Sequence, residues 1–260
     1  MRNKIAASLL GLALTVSAFA SPLPASAADD AFSETQKKEL HNIIREYMLA
    51  NPELLNEMIQ KLQVVERENQ EKQARDAIAS NADKIFRSAE DVVIGNPEGN
   101  VTVVEFFDYN CGYCKRSMAD VLRLTEEDDN VRVVMKEFPI LSEGSVIASH
   151  AALAARKQNK YWELHVALMG AQGNVDGEEK VLQIAADAGL DVEKLKADMQ
   201  AERAAHDKVI DETRNLAQQL GINGTPAFII DGQLVPGAVP YEQLAAGIKD
   251  VRNAGGCKFC

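Results

Sequence analysis

The chain has little sulfur, little imidazole and a deficit of positive charge. Only four cysteines occur in 260 residues, Cys111, Cys114, Cys257 and Cys260, and all fall in two Cys-x-x-Cys pairs with none left over. The four histidines, His41, His150, His165 and His206, show no ligand-like clustering, so they read as packing or surface residues and offer no imidazole metal site. Lysine and arginine number 28 against 39 aspartates and glutamates, which argues against nucleic acid or an anionic membrane surface as a partner. Beyond residue 20 no apolar stretch is long enough to cross a bilayer.

What stands before residue 28 has a different character. Arg2 and Lys4 precede an apolar stretch from Ile5 to Ala20, and Ala25-Ser26-Ala27 follows. A positive start, an apolar run and a small-residue cleavage site read as a secretory signal peptide over residues 1–27, cut after Ala27. The run, about 16 residues, is short for the ~20 of a spanning helix. The mature chain is therefore expected to be exported and soluble, with 26 basic residues against 39 acidic and a net charge of −13.

Export changes the meaning of the cysteines. In an oxidising compartment a structural disulfide normally closes a longer loop than two residues. These pairs are better placed for redox or metal chemistry. Val101 to Phe107 is nearly unbroken β-former and reads as a central strand buried on both faces. It runs through Asp-Tyr-Asn into Cys111-Gly-Tyr-Cys114 and a helix-compatible segment. A cysteine at a helix N-terminus meets unpaired N–H groups and the positive end of the helix dipole, which favour thiolate. The spacing thus predicts Cys111 as the exposed nucleophile and Cys114, one turn further in, as the buried resolving thiol, with Gly112 and Tyr113 between them. Glu105 is an acid inside this apolar strand: either it lies on a solvated face, or it is a buried carboxylate with a functional role. A metal reading, with the two pairs supplying a tetrahedral sulfur site or binding Cu(I), competes with the redox reading.

The rest of the chain frames this strand. From Phe32 to about Arg87 it looks helical: Leu40, Ile43, Ile44, Tyr47 and Met48 share one face, and Leu55, Met58, Leu62 and Val65 continue at heptad-like spacing. Asn51-Pro52 is read as the N-cap and first residue of the second helix. Two alternatives stand for this segment: it packs back on its own domain, or its apolar face is buried against copies of itself. Downstream come a short strand at Asp91–Ile94, the central strand, a helix, a strand over Val131–Phe138, a long helical block, a hairpin over Ala227–Val235 and a final helix from Tyr241. Trp162 with Tyr161 reads as an aromatic anchor in the helical block. The domains are residues 28–87, an N-terminal helical oligomerisation segment; 88–254, an α/β catalytic domain; and 255–260, a flexible tail carrying the second pair.

The stretch Val-Glu-Phe-Phe-Asp-Tyr-Asn-Cys-Gly-Tyr-Cys, with Gly221-Ile-Asn-Gly-Thr-Pro-Ala-Phe-Ile-Ile-Asp-Gly232 later, resembles the thioredoxin-like Dsb family of bacterial periplasmic thiol–disulfide oxidoreductases. The helical insertion fits its DsbA-like branch. The resemblance implies a thioredoxin-like fold, no cofactor, and Pro226 as a cis-proline facing the sulfurs, the alternative being an ordinary trans-proline opening a strand. Thr225 would then offer backbone groups to an extended substrate segment. It also implies that Glu105 helps move the proton of the buried cysteine, with Lys136 in the adjacent strand as its basic partner. Gly-Tyr between the cysteines and threonine before the proline resemble the isomerase DsbC, and the helical N-terminus resembles ScsC-like proteins. The implied activity is isomerase or reductase exchange with exported cysteine-containing proteins, the enzyme being kept reduced by a membrane partner of DsbD type. A net oxidase, or a copper-binding or chaperone module using its thiols as ligands, are the alternatives.

Overall fold

The computed structural model describes residues 32–260; the expected signal peptide over residues 1–27 lies outside them. Two compact units divide between Gln60 and Lys61.

The first unit holds helix α1 (Glu34–Ala50) and the start of α2 (Glu53–Ser80). Ser33 and Gln36 open α1 with a reciprocal capping box, each side chain accepting the other's backbone N–H. The apolar face anticipated from the spacing forms but stays uncovered: α1 has no buried residue, and Leu40, Ile43, Ile44, Tyr47, Met48, Leu55 and Met58 are all exposed. Asn51 differs from expectation. Its side chain closes α1 instead of capping α2, with its backbone N–H and side-chain amide both donating to the Tyr47 carbonyl at 3.0 and 2.7 Å, while its carbonyl accepts the Leu54 N–H of α2 at 3.1 Å. An amide side chain can serve a last-turn carbonyl as readily as a first-turn N–H, and here the carbonyl was the orphan.

The second unit continues with α3 (Ala82–Phe86), β1 (Val92–Gly95), β2 (Val101–Phe107), α4 (Gly112–Glu127) and β3 (Val131–Glu137). A helical block follows: α5 (Glu143–Ala155), α6 (Tyr161–Gly170), α7 (Glu178–Asp187), α8 (Val192–Ala201) and α9 (Arg203–Gln219). The chain finishes with β4 (Ala227–Ile230), β5 (Gln233–Pro236) and α10 (Tyr241–Asn253). The five strands lie in the order β1-β3-β2-β4-β5, with β2 parallel to β3 and the other pairings antiparallel.

Both faces of the sheet are covered, which is why β2 carries no polar–apolar alternation and is buried at every residue. On one face Val101, Val103 and Phe107 pack with α4, α10 and the helical block through Val121, Leu164, Leu168 and Leu244. On the other, Val104 and Phe106 meet Ile78, Ile85, Phe86, Leu216 and Leu220. Among the described residues no helix is long and apolar enough to cross a membrane.

Two expected boundaries move. Ile78, Ile85 and Phe86 are fully buried in the second cluster, so the last turns of α2 and all of α3 pack with the sheet of the second unit, not apart from it in the segment over residues 28–87. The three apolar positions were too few to show a period, and the charged run before them masked the change. Phe86→Ala should therefore cost about 3–5 kcal/mol of domain stability in a denaturant titration, as for other buried Phe truncations; an unchanged midpoint would place α3 outside the core. Likewise, residues 255–260 are not a free tail. Asp231 accepts the N–H groups of Lys258 and Phe259, and Arg87 holds the Phe259 and Cys260 carbonyls.

Candidate active site

Strand β2 delivers the chain to a turn that one carboxylate holds in place. Buried Asp108 accepts from the Asn110 N–H at 2.7 Å, the Ile140 and Leu141 N–H groups at 2.8 and 2.9 Å, and the Ser145 hydroxyl at 2.7 Å. The turn after β2 is thereby tied to the chain leaving β3. The Cys111 N–H donates to the Asp108 carbonyl at 3.0 Å, which sets Cys111 as the N-cap of α4. Its sulfur does what a serine or aspartate oxygen does at an N-cap, accepting the Cys114 N–H at 3.4 Å.

The opposite wall comes from far along the sequence. The Thr225–Pro226 bond is cis and precedes β4, the neighbour of β2. It presents the Thr225 carbonyl to the Cys111 thiol, which donates to it at 3.1 Å. Both cysteines are free thiols, and both are largely buried, Cys111 being 6% exposed and Cys114 1%. This tempers the expectation of an exposed nucleophile, because the threonine–proline wall covers Cys111 as well as contacting it. The exposed element is Tyr113, 61% accessible, with the Arg116 guanidinium 4.4 Å above its ring. Gly112 faces open space apart from the Arg116 side chain. A groove of about 310 Å³ runs past Thr225 and Pro226, between Gly221–Gly224 and Leu234, Pro236 and Gly237.

Glu105 lies beneath this pair. It is 3% exposed and sits on the β2 face that carries Val103 and Phe107, so the solvated alternative is excluded. Burial raises its carboxyl to about 8. Burial, and then the nearby Glu105 charge, push the Cys114 thiol far above its ordinary value, with Cys111 adding to the push, while the Asp108 backbone and Thr225 side chain act the other way. A neutral Glu105 relieves part of that penalty. The two groups are thus coupled: whatever removes the Cys114 proton acts beside an acid that titrates near physiological pH.

Lys136 is placed elsewhere. In the β2–β3 register Glu105 stands opposite Met135 and Lys136 opposite Phe106, so the lysine projects to the other face of the sheet. There its ammonium pairs with Asp91 at 2.5 Å and donates to the Lys84 carbonyl. Burial raises the Asp91 carboxyl to about 6 despite the lysine's opposing pull. The expected Glu105–Lys136 pair is therefore corrected: adjacent strands were right, but parity separates the side chains. The larger cavity, about 400 Å³, also lies with Asp91 and Lys136 and is not the sulfur site.

The next residue of β3 was overlooked. Glu137 is fully buried at the same end of the sheet as the sulfurs and accepts from Tyr109, Tyr161 and Ser149 hydroxyls at 3.0, 2.8 and 2.7 Å. Burial raises it to about 7, with the three hydroxyls opposing. Tyr109 also meets His165 Nδ1 at 3.1 Å, and the His165 ring stacks with both Tyr161 and Trp162. The helical block is thus joined to the turn carrying Cys111. A second acid in an apolar strand was the available signal.

The raised Glu105 carboxyl has a consequence for stability. A carboxyl whose folded value lies above its unfolded one binds more protons when folded, so stability is lost as pH rises from about 4.5 through about 8. Glu105→Gln removes that dependence. The variant should gain on reduced wild type by several kcal/mol, up to about 4–5, between pH 5 and pH 9, read from denaturant midpoints at each pH. Glu137 and Asp91 contribute slopes of the same sign to both proteins and cancel in the difference. Parallel pH profiles for the two proteins would show that Glu105 does not titrate in this range.

Comparison with known proteins places this arrangement. Residues 102–249 match the family described as DSBA-like thioredoxin domain, and residues 36–68 match the copper resistance protein ScsC N-terminal domain. Among solved structures, a thioredoxin-like oxidoreductase from Silicibacter pomeroyi is 50% identical, with 66% of this chain and 97% of that chain covered and a TM-score of 0.63. Proteus mirabilis ScsC in a compact conformation is 32% identical over 84% of this chain and 98% of that chain, with a TM-score of 0.62. The Na(+)/H(+) antiporter NhaA 1 of Salinispora arenicola is 31% identical over 160 residues, 61% of this chain. The chain spans about a quarter of the length of such curated relatives, 24% in that case. The first of these matches takes in more than half of the sequence, and the chain belongs to the DsbA-like thioredoxin-domain family.

Proposed function

We propose that the protein is a periplasmic thiol–disulfide oxidoreductase that acts on exported cysteine-containing proteins in the isomerase or reductase direction. One observation carries the reading: the Cys111 sulfur lies against the Thr225 carbonyl before a cis-proline, with Cys114 buried behind it. Cys111 attacks a substrate disulfide and forms a mixed disulfide, while one substrate sulfur leaves as thiolate. The substrate chain lies extended in the groove beside Thr225 and Pro226, and Cys114 then attacks Cys111 to release it. Glu105, next to Cys114, is the group placed to exchange its proton. Neither Lys136 nor a metal enters these steps.

The isomerase direction rests on Gly112-Tyr113 between the cysteines, Thr225 before the proline and the uncovered apolar face of residues 40–59, which suits self-association. The protein would then be a homo-oligomer kept reduced by a membrane dithiol partner of DsbD type. Refolding of scrambled ribonuclease tests the reading. Wild type should accelerate recovery of activity and Cys111→Ala should fall to the uncatalysed rate. A fully active Cys111→Ala protein would end the proposal. The reduction potential of the Cys111–Cys114 pair separates the direction, since a net oxidase lies near −120 mV and more reducing couples well below it.

A further inference from the structure

A second sulfur pair lies outside this site. Cys257 and Cys260 form a disulfide, and both residues are half-buried. A bridge spanning two residues closes too short a loop to constrain the unfolded chain much, so its effect is on local structure. That local structure is specific. Strand β4 pairs with β2 only as far as Ile230 opposite Val103, after which the chain turns away at Asp231 with φ 52°. The next β2 donor, the Thr102 N–H, is taken by Cys260 Sγ at 3.0 Å. Arg87, which closes α3, donates to the Phe259 and Cys260 carbonyls at 2.8 Å each. Asp231 accepts the Lys258 and Phe259 N–H groups at 2.7 and 3.0 Å. The Phe259 ring fills the space beside Gly232, where a Cβ would meet it at 3.0 Å, and packs on the cluster that contains Ile85 and Phe86.

This pair is separate from the first. From Thr102 to Phe107 the strand rises about 16 Å, and Cys111 lies beyond its far end. Direct exchange between the two pairs within one chain is therefore out of reach.

The two sulfurs also differ in surroundings. Cys257 Sγ lies 3.4 Å from an Asp231 carboxylate oxygen, which disfavours negative charge on it. Cys260 Sγ faces the Thr102 N–H, which favours it. In disulfide exchange the sulfur that best carries negative charge is the better leaving group.

We propose that Cys257–Cys260 is a second redox site, reduced through Cys257 by a dithiol protein, and that its state decides whether the C-terminal residues stay docked on Arg87, Thr102 and Asp231. The incoming thiolate bonds to Cys257 Sγ, the S–S bond breaks and Cys260 leaves as thiolate. The reductant's second thiol then displaces Cys257, so the pair gains two electrons and two protons and the reductant becomes a disulfide. With Cys260 and Cys257 no longer joined, the covalent link that holds the two N–H groups toward Asp231 and the sulfur toward Thr102 at once is lost, and only the Arg87 and Phe259 contacts remain.

The test uses the full chain carrying Cys111→Ser and Cys114→Ser. The oxidised protein is mixed with excess glutathione, quenched in acid, and its C-terminal peptide fragmented. Glutathione should be found on Cys257 at least tenfold more often than on Cys260, and Asp231→Asn should shrink that preference. After full reduction with dithiothreitol, the Thr102, Lys258 and Phe259 amides should exchange hydrogen at least tenfold faster than in the oxidised protein. Equal labelling of the two cysteines, or unchanged exchange at Thr102, overturns the proposal. Wild type gives the same reading without any substitution, because the two pairs fall on different peptides.

Discussion

Cys114→Ala is expected to turn the protein into a covalent trap. Cys111 keeps its place as N-cap and its contact with the Thr225 carbonyl, so the first attack on a substrate disulfide still occurs. What is lost is the intramolecular escape. In wild type Cys114 is one helical turn away and its N–H already reaches Cys111 Sγ, so release benefits from an effective molarity that external thiols do not match. Net reduction of a protein disulfide should fall by about 10³-fold or more, and substrate should be recovered bound to Cys111 on a non-reducing gel. Isomerisation should fall much less, because a second thiol of the misfolded substrate can itself attack the mixed disulfide. The ratio of the two losses therefore reads the direction of the enzyme. Equal and complete loss of both activities would mean that every turnover passes through Cys114, and would count against an isomerase. Absence of any trapped adduct would remove Cys111 as the nucleophile.

The strand and its cysteines could be read from the sequence because their physics is local. A β-former run without alternation needs cover on both faces, and a Cys-x-x-Cys after it falls in the first turn of a helix. Glu105 was conspicuous for the same reason, as a charge where the pattern allows none. Long-range register was not legible. Lys136 sits in the strand next to Glu105, yet a parallel pairing that sets Glu105 against Met135 sends the lysine to the other face. A shift of one residue would have reversed that result, and nothing in either strand alone fixes it. Asp108 and Glu137 were missed although both are buried acids, since their partners come from Ile140, Ser145, Ser149 and Tyr161. The tail was misjudged in the same way. Two glycines suggest freedom, but Arg87, Thr102 and Asp231 converge on it from three distant segments.

Ile43→Glu with Tyr47→Glu should abolish the proposed self-association while leaving the dithiol chemistry intact. The two positions are one turn apart on the face of α1 that the fold leaves uncovered, and both side chains are exposed within the chain. Their replacement therefore removes nothing from the core. Burying an Ile or Tyr side chain against another copy contributes about 1.5–3 kcal/mol each. Losing two in each of two copies, and adding carboxylates that resist burial, should weaken association by at least about 10³-fold. Sedimentation equilibrium should give an oligomer mass for wild type, as the proposed self-association requires, and the monomer mass for the double variant, and a small-disulfide reduction assay should be unchanged. Ribonuclease unscrambling should drop toward that of an isolated dithiol, if several sites must act on one misfolded chain. Substitution is the sharper tool here than deletion of residues 28–87, because that deletion would also remove Ile78, Ile85 and Phe86 from the core. An unchanged native mass in the double variant would place the association surface elsewhere, and an unchanged mass with lost dithiol activity would mean that α1 serves the catalytic domain directly.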